Sequence, residues 1–190
     1  MSTYTGTPFG TINTAYYDQM GTALAGDLAN ASDNILADSI AVSEANGVPF
    51  GSGVVVSYVA SARDGIDNRV VSLPVGTETA DDFAGIVIRA NTGQTDASGV
   101  AMVADSRVAL VARPNRAGFR LWVKAQATIS NGDSVYWIVK DETGHGLPIG
   151  SFYNAAITVS GVTDTVALTT AKFVSAGSVA KGIALVEMTA

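Results

Sequence analysis

Phe119-Arg120-Leu121-Trp122-Val123-Lys124 is the stretch that decides the fold class. Phe119, Leu121 and Val123 alternate with Arg120, Trp122 and Lys124. Only an extended strand turns a period of two into one apolar and one polar face. The pattern runs on to Thr128 and meets Asn131-Gly132, a strong turn signal, after which residues 135–139 return as a further strand.

Outward from there, the same texture repeats. Gly47-Val48-Pro49-Phe50-Gly51 reads as a turn and residues 54–59 as a strand rich in β-branched side chains. Asp64-Gly65 has hairpin-turn chemistry. Val70, Val71 and Leu73 form a strand stopped by Pro74, and residues 83–89 another. A polar loop covers 91–99. Residues 106–112 make a strand ended by Arg113-Pro114-Asn115, and residues 166–174 and 183–188 supply the last two. No long amphipathic helix interrupts this series. Residues 47–190 are therefore expected to be an all-β domain, a compact β-barrel or β-sandwich. A Gly-Ile step occurs twice in an apolar strand, in Phe83-Ala84-Gly85-Ile86 and in Ala180-Lys181-Gly182-Ile183. Glycine inside a strand marks a bulge or a close backbone approach.

Residues 1–46 differ. The first fifty residues hold Asp18, Asp27, Asp33, Asp38 and Glu44, and the first basic residue of the chain is Arg63. Thr, Gly and Pro without a sustained period make residues 1–15 an extended segment. Ile35, Ile40 and Val42 suit a short helix or strand, while Gly21 and Gly26 exclude one long helix. The expectation is an N-terminal arm, extended or partly helical. Phe9, Ile12, Tyr16 and Tyr17 put much apolar surface on it, so it is expected to order against a neighbour.

Charged residues are only 15% of the chain, which suits a protein that hides much of its surface against neighbours. A net charge of −6 opposes phosphate binding, so neither direct nucleic-acid contact nor an anionic membrane surface is expected. Cysteine is absent, which excludes disulfides, thiolate nucleophiles and sulfur-ligated metals. Met1-Ser2-Thr3-Tyr4 lacks the basic and apolar regions of a signal peptide, and no apolar run is long enough for a membrane helix, so assembly in a cytoplasm is expected.

Chemistry is hard to build from the remainder. His145 is the single histidine, and Gly144 and Gly146 put it in a loop ill suited to a catalytic triad. No Gly-x-Ser-x-Gly elbow, phosphate loop or dinucleotide fingerprint is present. Asp64-Gly65-Ile66-Asp67-Asn68 and Asp81-Asp82 do not match a calcium loop. Asp81-Asp82 and Asp141-Glu142 lie in turns and read as solvated pairs. No cofactor, metal or catalytic residue is assigned. Trp122, Trp137 and Tyr136 cluster near the centre of the β domain; aromatic residues and Arg are enriched at protein interfaces, so Arg120, Trp122 and Lys124 are candidate contact residues.

Four pieces in order resemble the capsid cement or decoration proteins of tailed bacteriophages. They are the polar N-terminal segment, Phe83-Ala84-Gly85-Ile86, the run from Arg120-Leu121-Trp122-Val123 to Gly132-Asp133-Ser134-Val135-Tyr136, and the closing Gly182-Ile183-Ala184 strand. The stretch from Lys140 to Ser160 departs from the shortest members of that family. The resemblance implies a non-enzymatic virion protein, made in the host cytoplasm, on the outer capsid surface. It would cement adjacent subunits of the major capsid protein and act as a homo-oligomer, a trimer or dimer. Phe9, Ile12, Tyr16 and Tyr17 are then the expected arm anchors. Removing residues 1–45 is expected to weaken binding and leave the β domain folded. The alternative is a virion-surface module holding host glycan on Trp122.

Overall fold

A computed structural model of the chain describes residues 23–29, 37–60, 67–89, 94–95, 99–113, 119–141, 144, 146–175 and 182–189. The described strands are β1 Ala37–Val42, β2 Val48–Pro49, β3 Gly53–Ala60, β4 Asp67–Ser72, β5 Gly85–Ile88, β6 Gln94–Thr95, β7 Ala101–Val103 and β8 Val108–Ala112 in the first half. The second half contributes β9 Arg120–Lys124, β10 Ser134–Ile138, β11 Phe152–Tyr153, β12 Thr158–Val159, β13 Val162–Thr163, β14 Thr165–Phe173 and β15 Ile183–Met188. A single 3-10 turn, Ala80–Asp82, is the helical element among the described residues. The fold is all-β, as the alternation at 119–128 requires.

Strands β1, β4, β3, β5 and β8 form a closed barrel in that order. Every neighbouring pair is antiparallel except β1 with β4, where Ala41 faces Val70 and Val42 faces Val71 in parallel. The barrel is filled by Ile40, Val42, Val54, Val71, Val87, Ala109 and Val111. Each comes from the inward-facing half of a period-two strand, and burial of each stabilises by about 1.5–3 kcal/mol for the larger side chains. Strand β1 begins at residue 37, inside the stretch that composition assigns to the arm. Ile40 and Val42 are buried in the barrel, so the β domain takes in residues 37–46 as well, and the closure depends on them.

The second half folds into a five-stranded antiparallel sheet ordered β11-β10-β14-β15-β9. Its inner face carries Leu121, Val123, Val135, Trp137, Leu168, Phe173, Ala184, Val186 and Met188. Its outer face alternates with these, as expected for a sheet with one covered side. Ser134 faces Lys172 whereas Val135 faces Leu168, so β14 bulges over Thr169–Thr170–Ala171. A three-stranded sheet β2-β7-β6 and the β12–β13 hairpin complete the described strands.

The two halves share one seam. All four residues of β5 are buried, with Val87 in the barrel core and Ile86 and Ile88 in the core beneath the sheet. An uninterrupted apolar run is what a strand needs when both its faces are covered. At its start Gly85 has φ 147°, and a Cβ there would meet the Ala112 carbonyl oxygen at 2.0 Å. That close approach is the reason for glycine. Gly182, its counterpart in the repeated step, sits at φ 64° in the turn before β15, where a Cβ would meet none of the described residues within 4 Å, so the two steps serve different ends. Phe83 packs edge-on against Trp137 with ring centroids 5.2 Å apart, joining the chain ahead of β5 to the sheet.

Candidate interface surfaces

Strand β9 presents Arg120, Trp122 and Lys124 outward, with Leu121 and Val123 fully buried behind them. Opposite on β15 stand Glu187, Leu185 and Ile183 respectively. Arg120 is ion-paired, its Nε 2.6 Å from Glu187, and Lys172 on β14 faces the same Glu187. Trp122 and Leu185, both half-buried, form an apolar cross-strand pair beside that charged row. The outer face therefore carries the apolar Trp122–Leu185 pair between the Arg120–Glu187 ion pair and the Lys124–Ile183 pair.

The outer edge of β9 is covered by the chain itself. Gly26 N–H donates to the Trp122 carbonyl at 2.7 Å, Trp122 N–H to the Asp27 carbonyl at 2.9 Å, and Ala29 N–H to the Arg120 carbonyl at 3.1 Å. Leu28 pairs antiparallel with Leu121. Asp27 also reaches Arg89, 3.4 Å away, and the Arg89 guanidinium lies over the Phe50 ring at 5.1 Å. An unpaired edge invites foreign strands, and this strap closes it. Leu24 and Leu28 nevertheless remain 49% and 38% exposed. Phe9, Ile12, Tyr16, Tyr17 and His145 lie outside the described residues, as does the Asp64-Gly65 turn.

Trp137 is fully buried and unavailable to any surface platform, while Tyr136 lies half-buried on the outer face opposite Tyr153. Asp133 closes the turn before β10. It accepts from Asn154 Nδ2 at 2.9 Å and from the Ser130 N–H at 2.8 Å, and these bonds hold its carboxyl below the usual carboxylate range. The Gly132-Asp133 motif is thus a turn lock.

A second cluster joins residues that are distant in sequence. Asp38 on β1 accepts from Arg113 Nε at 2.7 Å and Nη2, and from Arg69 Nη1 at 3.2 Å. The Arg113 guanidinium, with a lesser contribution from Arg69, holds the Asp38 carboxyl below its ordinary range against the opposing effect of partial burial. The trio ties β1, β4 and the end of β8 at one mouth of the barrel. Beside it opens a cleft of about 570 Å³, lined by Val55, Val56 and Tyr58 of β3, by Arg69 and Arg113, and by Glu78, Asp81 and Asp82. Asp82 accepts from the Thr79 N–H and hydroxyl, which lower its pKa. Glu78 accepts from the Val75 and Gly76 N–H groups at 2.7 Å each. Nothing in the sequence pointed to this cluster, because Asp38 and Arg113 are 75 positions apart. Among the described residues, no group of three or more His, Asp or Glu is placed to hold a metal ion.

Residues 12–189 match the family described as "Structural cement protein (E217 gp24/Pam3 gp6)". The chain belongs to this phage structural cement family. It is accordingly a structural, non-enzymatic component of a phage capsid. The cement protein also has the fold of a chain in the solved capsid of Myoviridae phage XM1. The two are 22% identical, with a TM-score of 0.57, over 88% of this chain and 91% of that one. A search of curated proteins gives no significant match.

Proposed function

We propose that this cement protein lies on the outer surface of the capsid and clamps adjacent subunits of the major capsid protein. The outer face of β9 and β15 is the first contact. The observation that carries this reading is the half-buried Trp122–Leu185 pair beside the Arg120–Glu187 ion pair, an apolar centre with a charged margin. Interface cores have that anatomy, and Trp is the residue type most often dominant within them. Arg120 is already neutralised by Glu187, so its part is to shape the margin, and Trp122 supplies the affinity. The arm extends the contact, with Phe9, Ile12, Tyr16 and Tyr17 as anchors. A homo-oligomer, trimer or dimer, multiplies weak single contacts into stable attachment.

Co-sedimentation with shells assembled from the major capsid protein of the same phage tests the proposal. Saturable binding at a fixed ratio per capsomer, with a raised shell melting temperature, is expected. Trp122→Ala should weaken binding roughly thirty-fold, the effect of losing about 2 kcal/mol at an interface hot spot. Unchanged binding by Trp122→Ala would remove this face from the contact.

A further inference from the structure

We propose that the barrel mouth is a docking groove for an extended, basic segment of a capsid-lattice protein, which adds as a strand to the free edge of β3. The proposal rests on the cement reading and supplies the second attachment that a clamp between two subunits needs.

Strand β3 outruns its neighbour. It pairs with β5 at Gly53 and Val54 alone, and the chain ahead of β5 then leaves it. On that side the Ser52 carbonyl accepts from Val87 N–H and the Val54 carbonyl from Ala84 N–H, both at 2.9 Å. Backbone groups of alternate residues point the same way along a strand. Val56 and Tyr58 therefore aim their N–H and C=O groups into the cleft, where no strand among the described residues meets them. The other flank of β3 is fully paired with β4, from Val55–Ser72 to Ala60–Asp67. The geometry is that of strand addition, in which main-chain bonds hold the guest and side-chain pockets select it.

The walls define the guest. Glu78, Asp81 and Asp82 share the lining with Arg69 and Arg113, and Asp38 beside the cleft already engages both guanidiniums. The lining holds three carboxylates and two guanidiniums, and the adjoining Asp38 offsets the latter, so the cleft favours a guest carrying Lys or Arg. This chain's own arm has the wrong sign, with no basic residue before Arg63. The arm is therefore excluded as the guest, and the cement reading points to the capsid lattice for a basic one. Tyr58, 65% exposed in the cleft at the far end of β3, offers it an aromatic contact, and Val59, 48% exposed, an aliphatic one on the opposite face of the strand.

The test uses the full-length protein and shells of the major capsid protein from the same phage. The chain has no cysteine, so Val59→Cys carries a single thiol-attached photocrosslinker. The expected crosslink is to a Lys- or Arg-bearing segment of the capsid protein. Crosslinks confined to a second copy of this chain, or none from bound protein, would overturn the assignment. In parallel, Asp81→Lys and Tyr58→Ala should each weaken shell binding at least ten-fold, the first less at high salt, while Thr163→Lys on β13 binds as wild type. Equal binding by wild type and both groove variants overturns the groove and leaves the cement reading standing. Wild type that does not bind shells overturns both.

Discussion

In the barrel, β8 returns to β1 and the ring closes, whereas the sheet simply ends at β9 and is finished by residues 23–29. The barrel closes its ring by topology, leaving the far half of β3 without a neighbour on one flank among the described residues, and the sheet is closed by a borrowed segment. Closure makes every barrel strand depend on partners far along the chain, as when β1 meets β8 through Ala37–Ala112 and Ala41–Val108. The sheet's strap is held by main-chain bonds and by Asp27 to Arg89, with two leucines still in water. Removing a barrel strand should therefore destroy the fold, and altering the margin of the sheet should not.

The sharpest test is a pair of truncations. Deleting residues 1–45 removes β1 and leaves β8 and β4 without their shared neighbour. It is expected to abolish the cooperative unfolding transition seen by circular dichroism in denaturant. Deleting residues 1–22 leaves both cores and the strap in place, and should change stability by roughly 0.5 kcal/mol or less. Binding loss in the shorter deletion can then be read as loss of the arm. If the 1–45 deletion still folds cooperatively, closure is not what holds the barrel.

Next in size comes the seam. Gly85→Ala puts a methyl group against the Ala112 carbonyl in a backbone conformation unsuited to it. Overpacking and backbone strain together should cost roughly 3 kcal/mol or more. Because β5 serves both cores, the loss should appear as one transition at lower denaturant, by tryptophan fluorescence from the sheet and by circular dichroism alike. Two separated transitions would show that barrel and sheet unfold independently.

These contrasts also explain what the sequence made legible. Strands β3, β8, β9, β14 and β15 announce themselves through β-branched runs or period-two alternation, and the structure places strands at each of them. Strand β1 was ambiguous between helix and strand, and was assigned to the arm, because Ala37-Asp38-Ser39-Ile40-Ala41-Val42 mixes small and acidic residues with Ile40 and Val42. The strap has no side-chain signature, since backbone groups make its bonds. Of the candidate contact residues, Trp122 was legible from its place on the polar side of an alternating strand. The barrel mouth was not, because Asp38, Arg69 and Arg113 meet only after closure has brought β1, β4 and β8 together.

A smaller effect separates the two ends of the barrel. Asp38 has its pKa lowered in the folded protein, so its bonds to Arg113 and Arg69 stabilise the fold above the unfolded carboxylate pKa of about 3.9. That contribution is lost as pH falls through the folded value. Acid titration of wild type should therefore lose stability below about pH 4, and Asp38→Asn should be less stable at neutral pH with a flatter acid limb. An unchanged limb would mean that the mouth carries no pH-dependent stability and that closure alone holds it.

The smallest expected effect completes the comparison between the two Gly-Ile steps. Gly182 adopts φ 64° before β15, so an alanine there meets none of the described residues and incurs only the left-handed backbone penalty, about 1 kcal/mol. Gly85→Ala adds a collision to its strain, and the two variants thus measure a close approach against a turn at what the sequence writes as the same motif. Denaturant melts of both should differ by at least twofold in lost stability. Equal losses would place the demand for glycine in backbone conformation at both sites, and would remove the Ala112 contact as the reason that β5 can serve two cores at once.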